Sequence, residues 1–95
     1  MKHLAASHHF QKQLKKLPRQ DQEKTIEALE DFRRGLEGGL IPAGLGFKKI
    51  NGDKYEIRVN IRKRIVMKAE NDTLVCHLIG DHDAVKTYLR NYRNK

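Results

Sequence analysis

The chain has 95 residues, 38% of them hydrophobic, and its 20 Lys and Arg against 12 Asp and Glu give a formal net charge of +8. This length predicts one domain over residues 1–95 with a modest core, and it excludes a separate cofactor-binding domain. The charge favours nucleic acid over acidic substrates, although an anionic membrane surface would also attract it.

Targeting and redox signals are sparse in this sequence. No apolar run approaches the ~20 residues that a membrane helix needs, and Met1–Phe10 lacks the long apolar centre of a signal peptide. Cys76 is the only cysteine, so no internal disulfide can form, and its apolar surroundings predict a small core residue. We therefore expect a reduced, cytoplasmic setting and no membrane partner.

The first half of the chain predicts a helical hairpin. Lys2–Ala6 is compatible with an edge strand, but its pattern alone does not establish one. Ser7 is suited to cap a first helix, Pro18 interrupts it, and a second helix is predicted from about Asp21. The apolar faces at helical spacing are Phe10, Leu14 and Leu17 on the first helix, and Ile26, Leu29, Phe32 and Leu36 on the second.

The second half of the chain combines a glycine-rich segment with short segments in which apolar and polar residues alternate. Five of the seven glycines lie between Gly35 and Gly46, which predicts a loop from helix to strand rather than a phosphate-binding P-loop. Residues 47–80 then read as strands, with a turn at Asn71–Asp72. Ile61, Ile65, Met67 and Ala69 are predicted to share one strand face, and Thr73–Ile79 to form the central strand.

A last helix completes the predicted order of elements. Asp81 is placed to cap it, and its apolar stripe comprises Val85, Tyr88, Leu89 and Tyr92. Strands joined by short turns pair antiparallel. The sequence therefore predicts an α+β domain in which an antiparallel sheet packs against an N-terminal helical hairpin and a short C-terminal helix.

The positive charge is concentrated in one strand-forming segment. Phe47–Lys68 holds eight Lys and Arg against two acids, or +6 of the total charge of +8. Disordered basic tails are usually low in apolar residues, whereas this segment includes the alternating strand residues Tyr55, Ile57 and Val59. We expect a rigid positive surface that binds a polyanion or an acidic protein.

Four motifs in this order resemble those of the RelE/ParE superfamily of toxins from bacterial and archaeal toxin–antitoxin pairs. They are Ser7-x-x-Phe10-x-x-x-Leu14-Lys15-Lys16-Leu17, Tyr55-Glu56-Ile57-Arg58-Val59, Arg64-Ile65-Val66 and Ile79-Gly80-Asp81-His82-Asp83-Ala84-Val85. The resemblance spans nearly the whole chain. It implies a compact sheet flanked by a helical hairpin and an antitoxin partner that wraps over the toxin.

The superfamily implies two kinds of activity. Many members cleave messenger RNA in the ribosomal A site without a metal, which is the activity of the RelE- and YafQ-like branch that this chain resembles. ParE-like members instead inhibit DNA gyrase. A third reading is an inactive module that binds RNA or an antitoxin. Active sites vary: the RelE type relies on Arg, Lys and Tyr, while YafQ-like and YoeB-like members add His or Glu.

Three residues are predicted to be catalytic, two of them from the resemblance. Arg64 matches the arginine on the strand after the basic hairpin, and Arg58 is expected beside it on the same polar face. Guanidinium forks suit phosphate oxygens because two N–H groups can engage two oxygens. His82 matches the histidine of the YafQ-like branch and would serve as acid or base; alternatively, it merely supports the helix start.

Further residues are predicted to bind RNA. RNA contacts are predicted for Lys48, Lys49, Lys54, Arg62, Lys63 and Tyr88. Tyr88 and Tyr92 would stack on bases or take the tyrosine role of RelE, or simply pack the last helix.

Three other features bear on the site. Lys86 stands where YafQ-like members carry an aromatic residue. His77 is either a satisfied core histidine or a site residue, depending on which strand face it occupies, and the core position is favoured. No Cys/His cluster has metal-ligand spacing, so no metal or other cofactor is expected.

Overall fold

The computed structural model describes residues 2–91. Its helices are α1 (His8–Lys16), α2 (Arg19–Gly38) and α3 (His82–Asn91), and a short 3-10 turn covers Ala43–Leu45. Its strands are β1 (His3–Ala6), β2 (Lys48–Asn51), β3 (Lys54–Arg58), β4 (Arg64–Glu70) and β5 (Thr73–Gly80). They form one sheet in the order β1-β5-β4-β3-β2. No helix of residues 2–91 has the length and apolar character to cross a membrane.

The α+β prediction is confirmed, but the sheet is mixed rather than wholly antiparallel. Strands β2 to β5 follow one another through short turns and pair antiparallel. Strand β1 instead pairs parallel with β5, and two helices and three strands separate the two in sequence. A parallel pair needs such a long connection. Strand β1 is therefore an edge strand, and the central position belongs to β4 rather than β5.

The helical hairpin forms as predicted, with one shift in its apolar face. Ser7 Oγ accepts a hydrogen bond from Phe10 N at 3.1 Å, and Pro18 separates α1 from α2. On α2 the buried residues are Thr25, Ala28, Phe32 and Gly35. The prediction for Ile26 is wrong, because its side chain is 49% exposed. Thr25 takes a core position since its hydroxyl donates to the carbonyl of Asp21 at 2.7 Å, which satisfies the buried oxygen.

Gly35 belongs to α2 rather than to the loop that the sequence predicted. The helix continues to Gly38 and ends at Gly39, which has a left-handed φ of 80°. A Cβ on Gly35 would lie 2.9 Å from the backbone Cα of Ile41, so the returning chain packs directly on this glycine. The glycine therefore sets how closely the connecting loop approaches the helix.

Gly35→Ala should lower the free energy of unfolding by about 1–3 kcal/mol, because a methyl group there has to displace backbone. Gly38→Ala is the matched control, since a Cβ at Gly38 meets no atom within 4 Å. That change should be neutral or slightly stabilising. Urea unfolding of both variants measures the difference, and equal midpoints would contradict the close contact at Gly35.

The two faces of the sheet bury two separate groups of side chains. Phe10 and Phe32 from the helical hairpin pack with Ile57, Ile65 and Met67 on one face. On the other face, Val85 of α3 packs with Val66 and Leu78. Ile61 joins neither group: it is 90% exposed in the turn before β4, so its predicted place on a strand face is wrong.

Cys76 is buried in the larger core, as the sequence predicted. Loss of hydration raises the pKa of its thiol to about 12. A thiol that is neither exposed nor ionised near neutral pH is a poor nucleophile.

A bulge in β5 explains the position of His77. Val66 pairs with Leu78 whereas the next residue, Met67, pairs with Cys76, so His77 has no partner on β4. The extra residue turns Cys76 and Leu78 to opposite faces of the sheet. His77 is partly exposed rather than a core residue, and its Nε2 lies 3.6 Å from a carboxylate oxygen of Glu70. The prediction of a satisfied core histidine is therefore wrong.

Candidate active site

The strand register places several charged residues on the face that carries α3. Arg58 is paired with Arg64 across β3 and β4, and Glu56 is paired with Val66 of the α3 face. Lys48 is paired with Glu56 across β2 and β3. Directly paired residues point to the same side of a sheet. The predicted placement of Arg58 and Arg64 on one face is therefore confirmed, and Lys48 and Glu56 join them there.

A nearly buried carboxylate holds Arg64 in place. Glu56 Oε2 accepts a hydrogen bond from Arg64 Nη1 at 3.0 Å, and Lys48 Nζ lies 3.9 Å from the same oxygen. The side chains of Glu56 and Arg64 are only 7% and 24% exposed. Because a buried charge needs a partner, this ion pair restricts the guanidinium to a narrow range of positions. The guanidinium nitrogens not bound to Glu56 can still serve a ligand.

Sequence reasoning did not assign Glu56 a role. Glu56 entered the sequence analysis only as one of two acids in the basic segment and as part of the motif Tyr55-Glu56-Ile57-Arg58-Val59. The sequence does carry a positional signal: Glu56 lies two residues from both Lys54 and Arg58 on β3, so the three share a face and Glu56 is the acid between two cations. A single acid in such a row is a candidate for organising its neighbours.

The start of α3 places His82 beside this pair. Asp81 caps the helix as predicted, with its Oδ1 accepting from Ala84 N at 2.8 Å and its carbonyl from Val85 N at 3.0 Å. The helix begins at His82, two residues after Gly80, and Gly80 is paired with Arg64 across β5 and β4. His82 therefore lies at the end of the β4–β5 pair that carries Arg64.

Gly80 allows the first turn of α3 to lie against the sheet. A Cβ on Gly80 would be 2.7 Å from Cβ of Ala84, closer than two such atoms can approach. Gly80→Ala should therefore displace the helix start, with a loss of about 1–3 kcal/mol in stability and a loss of any activity that depends on His82. Thermal unfolding and an activity assay would measure both effects.

A second substitution tests the cause of that loss. Ala84→Gly removes the opposing methyl group, so the double variant Gly80→Ala/Ala84→Gly should recover activity despite a helix-propensity cost of about 1 kcal/mol. Failure of the double variant to recover would contradict the proposed clash.

Two adjoining surface grooves bring Arg64 and His82 together. The groove between β2 and α3 has a volume of about 250 Å³ and is lined by Lys48, Lys49, Ile50, Glu56, Arg64, His82, Val85, Lys86 and Leu89. The second, about 360 Å³, contains Arg64 and His82 together with Arg62, Asp81 and Asp83. Arg64 also lines a third groove, of about 440 Å³, with Arg58 and Asn60. Arg64 is therefore the point at which all three grooves meet.

The predicted RNA-binding residues have different surroundings. Lys48 and Lys49 both line the β2–α3 groove, but Lys49 is paired with Tyr55 and so points to the opposite face of β2 from Lys48. Lys54 is buried, and its ammonium lies 2.8 Å from Asp53 Oδ1. That hydrogen bond lowers the pKa of the Asp53 carboxyl. Lys54 is therefore a structural cation rather than a free cation at the groove rim.

Arg62 and Lys63 lie in the turn between β3 and β4. Asn60 organises this turn, because its Oδ1 accepts from the backbone N of Arg62 at 2.9 Å and of Lys63 at 2.8 Å. Tyr88 is half-buried and packs against the small core cluster of Val66 and its neighbours, in keeping with the packing alternative. Tyr92 lies outside the described residues. Within residues 2–91, no group of three or more His, Cys, Asp or Glu side chains could hold a metal ion.

Solved structures share this fold, although sequence comparison gives no relative. No family model and no curated protein matches the sequence. YafQ from E. coli strain BL21(DE3) matches with a TM-score of 0.63 and 17% identity, over 90% of this chain and 98% of that chain. The RelB–RelE antitoxin–toxin complex from Methanococcus jannaschii matches with a TM-score of 0.65 and 20% identity, over 88% and 96%.

The E. coli DinJ–YafQ complex also matches, with a TM-score of 0.64 and 18% identity over 90% of this chain and 98% of that chain. DinJ–YafQ is itself a toxin–antitoxin complex. Identities at this level establish the fold alone, and the resemblance that the sequence motifs indicated is confirmed at that level. The chain has the RelE-like fold of toxins from toxin–antitoxin pairs.

Proposed function

We propose that this protein is the toxin of a toxin–antitoxin pair and a metal-independent endoribonuclease that cleaves mRNA at the ribosomal A site. One observation carries the proposal: Arg64, fixed by a nearly buried Glu56, lies with exposed His82 in a cationic groove. The RelE-like fold supports it, because structural neighbours are toxins of such pairs. Cleavage of mRNA would stop translation.

Each group in the groove has a chemical role in this proposal. The ribose 2′-oxygen attacks the adjacent phosphorus, the bond from phosphorus to the 5′-oxygen breaks, and the products are a 2′,3′-cyclic phosphate and a 5′-hydroxyl. His82 takes the proton from the 2′-hydroxyl and returns it to the leaving 5′-oxygen. Arg64 stabilises the extra negative charge on the phosphoryl oxygens in the transition state.

The other charged residues position these two. Glu56 orients Arg64, because Glu56 Oε2 accepts the hydrogen bond from Arg64 Nη1. Lys48 Nζ lies near the same oxygen. Arg58, on the same sheet face, is assigned to the phosphate on the far side of Arg64. Lys48, Lys49, Arg62 and Lys63 contribute sequence-independent attraction to the RNA backbone, which makes binding salt-dependent.

A cognate antitoxin is the proposed protein partner. The RelB–RelE and DinJ–YafQ structures are antitoxin–toxin complexes, and this chain shares their fold. An acidic antitoxin segment would be attracted to the cationic groove and would keep RNA away from Arg64. Its displacement would release the activity.

Adding purified protein to an in vitro translation reaction separates the functional classes. The proposal predicts that protein synthesis stops while DNA supercoiling by gyrase continues in a parallel assay. Inhibited supercoiling with normal translation would instead identify a gyrase inhibitor of the ParE type. No effect in either assay would leave a binding module, and both of these outcomes contradict the ribonuclease proposal.

A further inference from the structure

Lys86 lines the β2–α3 groove from the α3 side. It follows His82 by four residues, which places the two side chains one turn apart on the same side of α3. Both line the same groove as Arg64. Lys86 is exposed, and within residues 2–91 it forms no ion pair. Its ammonium is therefore available to a ligand.

The groove combines cationic walls with an apolar floor. Lys48 stands on the β2 wall and Lys86 on the α3 wall. The apolar residues that line the groove are Ile50, Val85 and Leu89, which belong to or pack against the small core cluster and which we take as its floor. The alkyl side chains of this floor offer no hydrogen bonds to a ligand. The surface thus suits a flat apolar group attached to an anion.

We infer that this groove is a subsite for one nucleotide next to the scissile phosphate, with the nucleobase on the Ile50–Leu89 floor and its phosphate between Lys48 and Lys86. The inference rests on the proposed function, because it identifies which part of the RNA the site holds. A volume of about 250 Å³ is smaller than a pocket for a drug-sized ligand. It accommodates one nucleoside rather than a longer segment.

Base tolerance follows from the composition of the floor. A base is identified through hydrogen bonds to its edges, and alkyl side chains make none. The subsite should therefore favour any base over none, with a small advantage for purines because they bury more apolar area.

The test measures binding of short single-stranded RNAs that carry a 2′-deoxy sugar at the scissile position, so that they bind without being cut. Affinity is recorded by fluorescence anisotropy between about 50 and 200 mM salt. Lys86→Gln should weaken binding and reduce the slope of log K against log salt by about 0.7, the value for one phosphate of a single strand. Lys24→Gln on α2, exposed on the opposite side of the sheet, should change neither quantity.

Abasic substitution locates the base. Removing the base at one of the two positions flanking the scissile phosphate should lower affinity about tenfold, because the apolar area that the base buries on the floor is lost. Exchanging the four bases there should change affinity far less. Strong preference for a single base at that position would overturn the subsite.

Two outcomes separate this inference from the ribonuclease proposal. If the wild-type protein cuts mRNA and Lys86→Gln keeps the wild-type affinity and salt slope, the subsite is wrong while the ribonuclease stands. If Lys86→Gln loses the slope but the wild-type protein cuts no RNA, the groove binds a nucleotide through Lys86 as inferred, whereas the ribonuclease and the position next to a scissile phosphate are wrong. Lys86-dependent binding of polyglutamate with no binding of RNA would overturn the subsite in favour of an acidic protein ligand.

Discussion

Arg64→Lys should lower the rate of mRNA cleavage by about 100-fold or more, because a single ammonium cannot both satisfy Glu56 and engage two phosphoryl oxygens. Arg64 Nη1 is committed to Glu56 at 3.0 Å, and the rest of the fork faces the junction of the grooves. The positive charge is retained in this variant. The loss should therefore appear in the cleavage step rather than in RNA affinity.

The test replaces Arg64 with lysine rather than alanine for a structural reason. Removing this cation altogether would deprive a carboxylate that is only 7% exposed of its hydrogen-bonded partner and leave it only Lys48 Nζ at 3.9 Å. Breaking a buried ion pair in this way destabilises a fold by several kcal/mol. Lys24→Arg is the control, since it makes the reverse exchange of lysine and arginine on α2, on the opposite side of the sheet from Arg64. Equal cleavage by Arg64→Lys and the wild type would remove Arg64 from the transition state.

His82→Gln should lower cleavage by about 100- to 10,000-fold, the usual range for loss of a general acid–base group. Glutamine keeps the hydrogen-bonding capacity and approximate size of the side chain but cannot carry the proton between the two oxygens. His82 is exposed, and the hydrogen bonds that begin α3 come from Asp81 rather than from His82. Stability and RNA affinity should therefore remain close to wild type.

His8→Gln provides the matched control for this exchange. His8 is an exposed residue at the start of α1, on the helical-hairpin side of the molecule. Its replacement should leave cleavage, stability and affinity unchanged. If His82→Gln turned over RNA as fast as His8→Gln, the alternative in which His82 only supports the helix start would be correct.

Local signals were enough to predict the elements that depend on neighbouring residues. Ser7 and Asp81 cap helices through hydrogen bonds three residues along the chain, and Pro18 ends a helix by its own geometry. The position of Ile26 depended instead on how α2 rotates against the sheet. A shift of one residue put Thr25 in the core, because its hydroxyl could bond to the helix backbone.

The features that the sequence did not predict depend on pairing between strands that are distant in the chain. The parallel pairing of β1 with β5 and the bulge at His77 depend on strands distant in the chain. Within the site, alternation along β3 and β4 was enough to place Arg58 and Arg64 on one face. It could not show that Glu56 holds Arg64 or that Lys54 is buried against Asp53, since these contacts depend on side-chain packing.

Mapping the 5′ ends of an mRNA by primer extension, after translation with the purified protein, tests the central claim most directly. The account predicts new ends within the translated region that appear with the wild-type protein and the His8→Gln control, and that disappear with His82→Gln. A parallel reaction without ribosomes reports whether cleavage depends on the A site. Intact mRNA with the wild-type protein, or the same new ends with His82→Gln, would contradict the account.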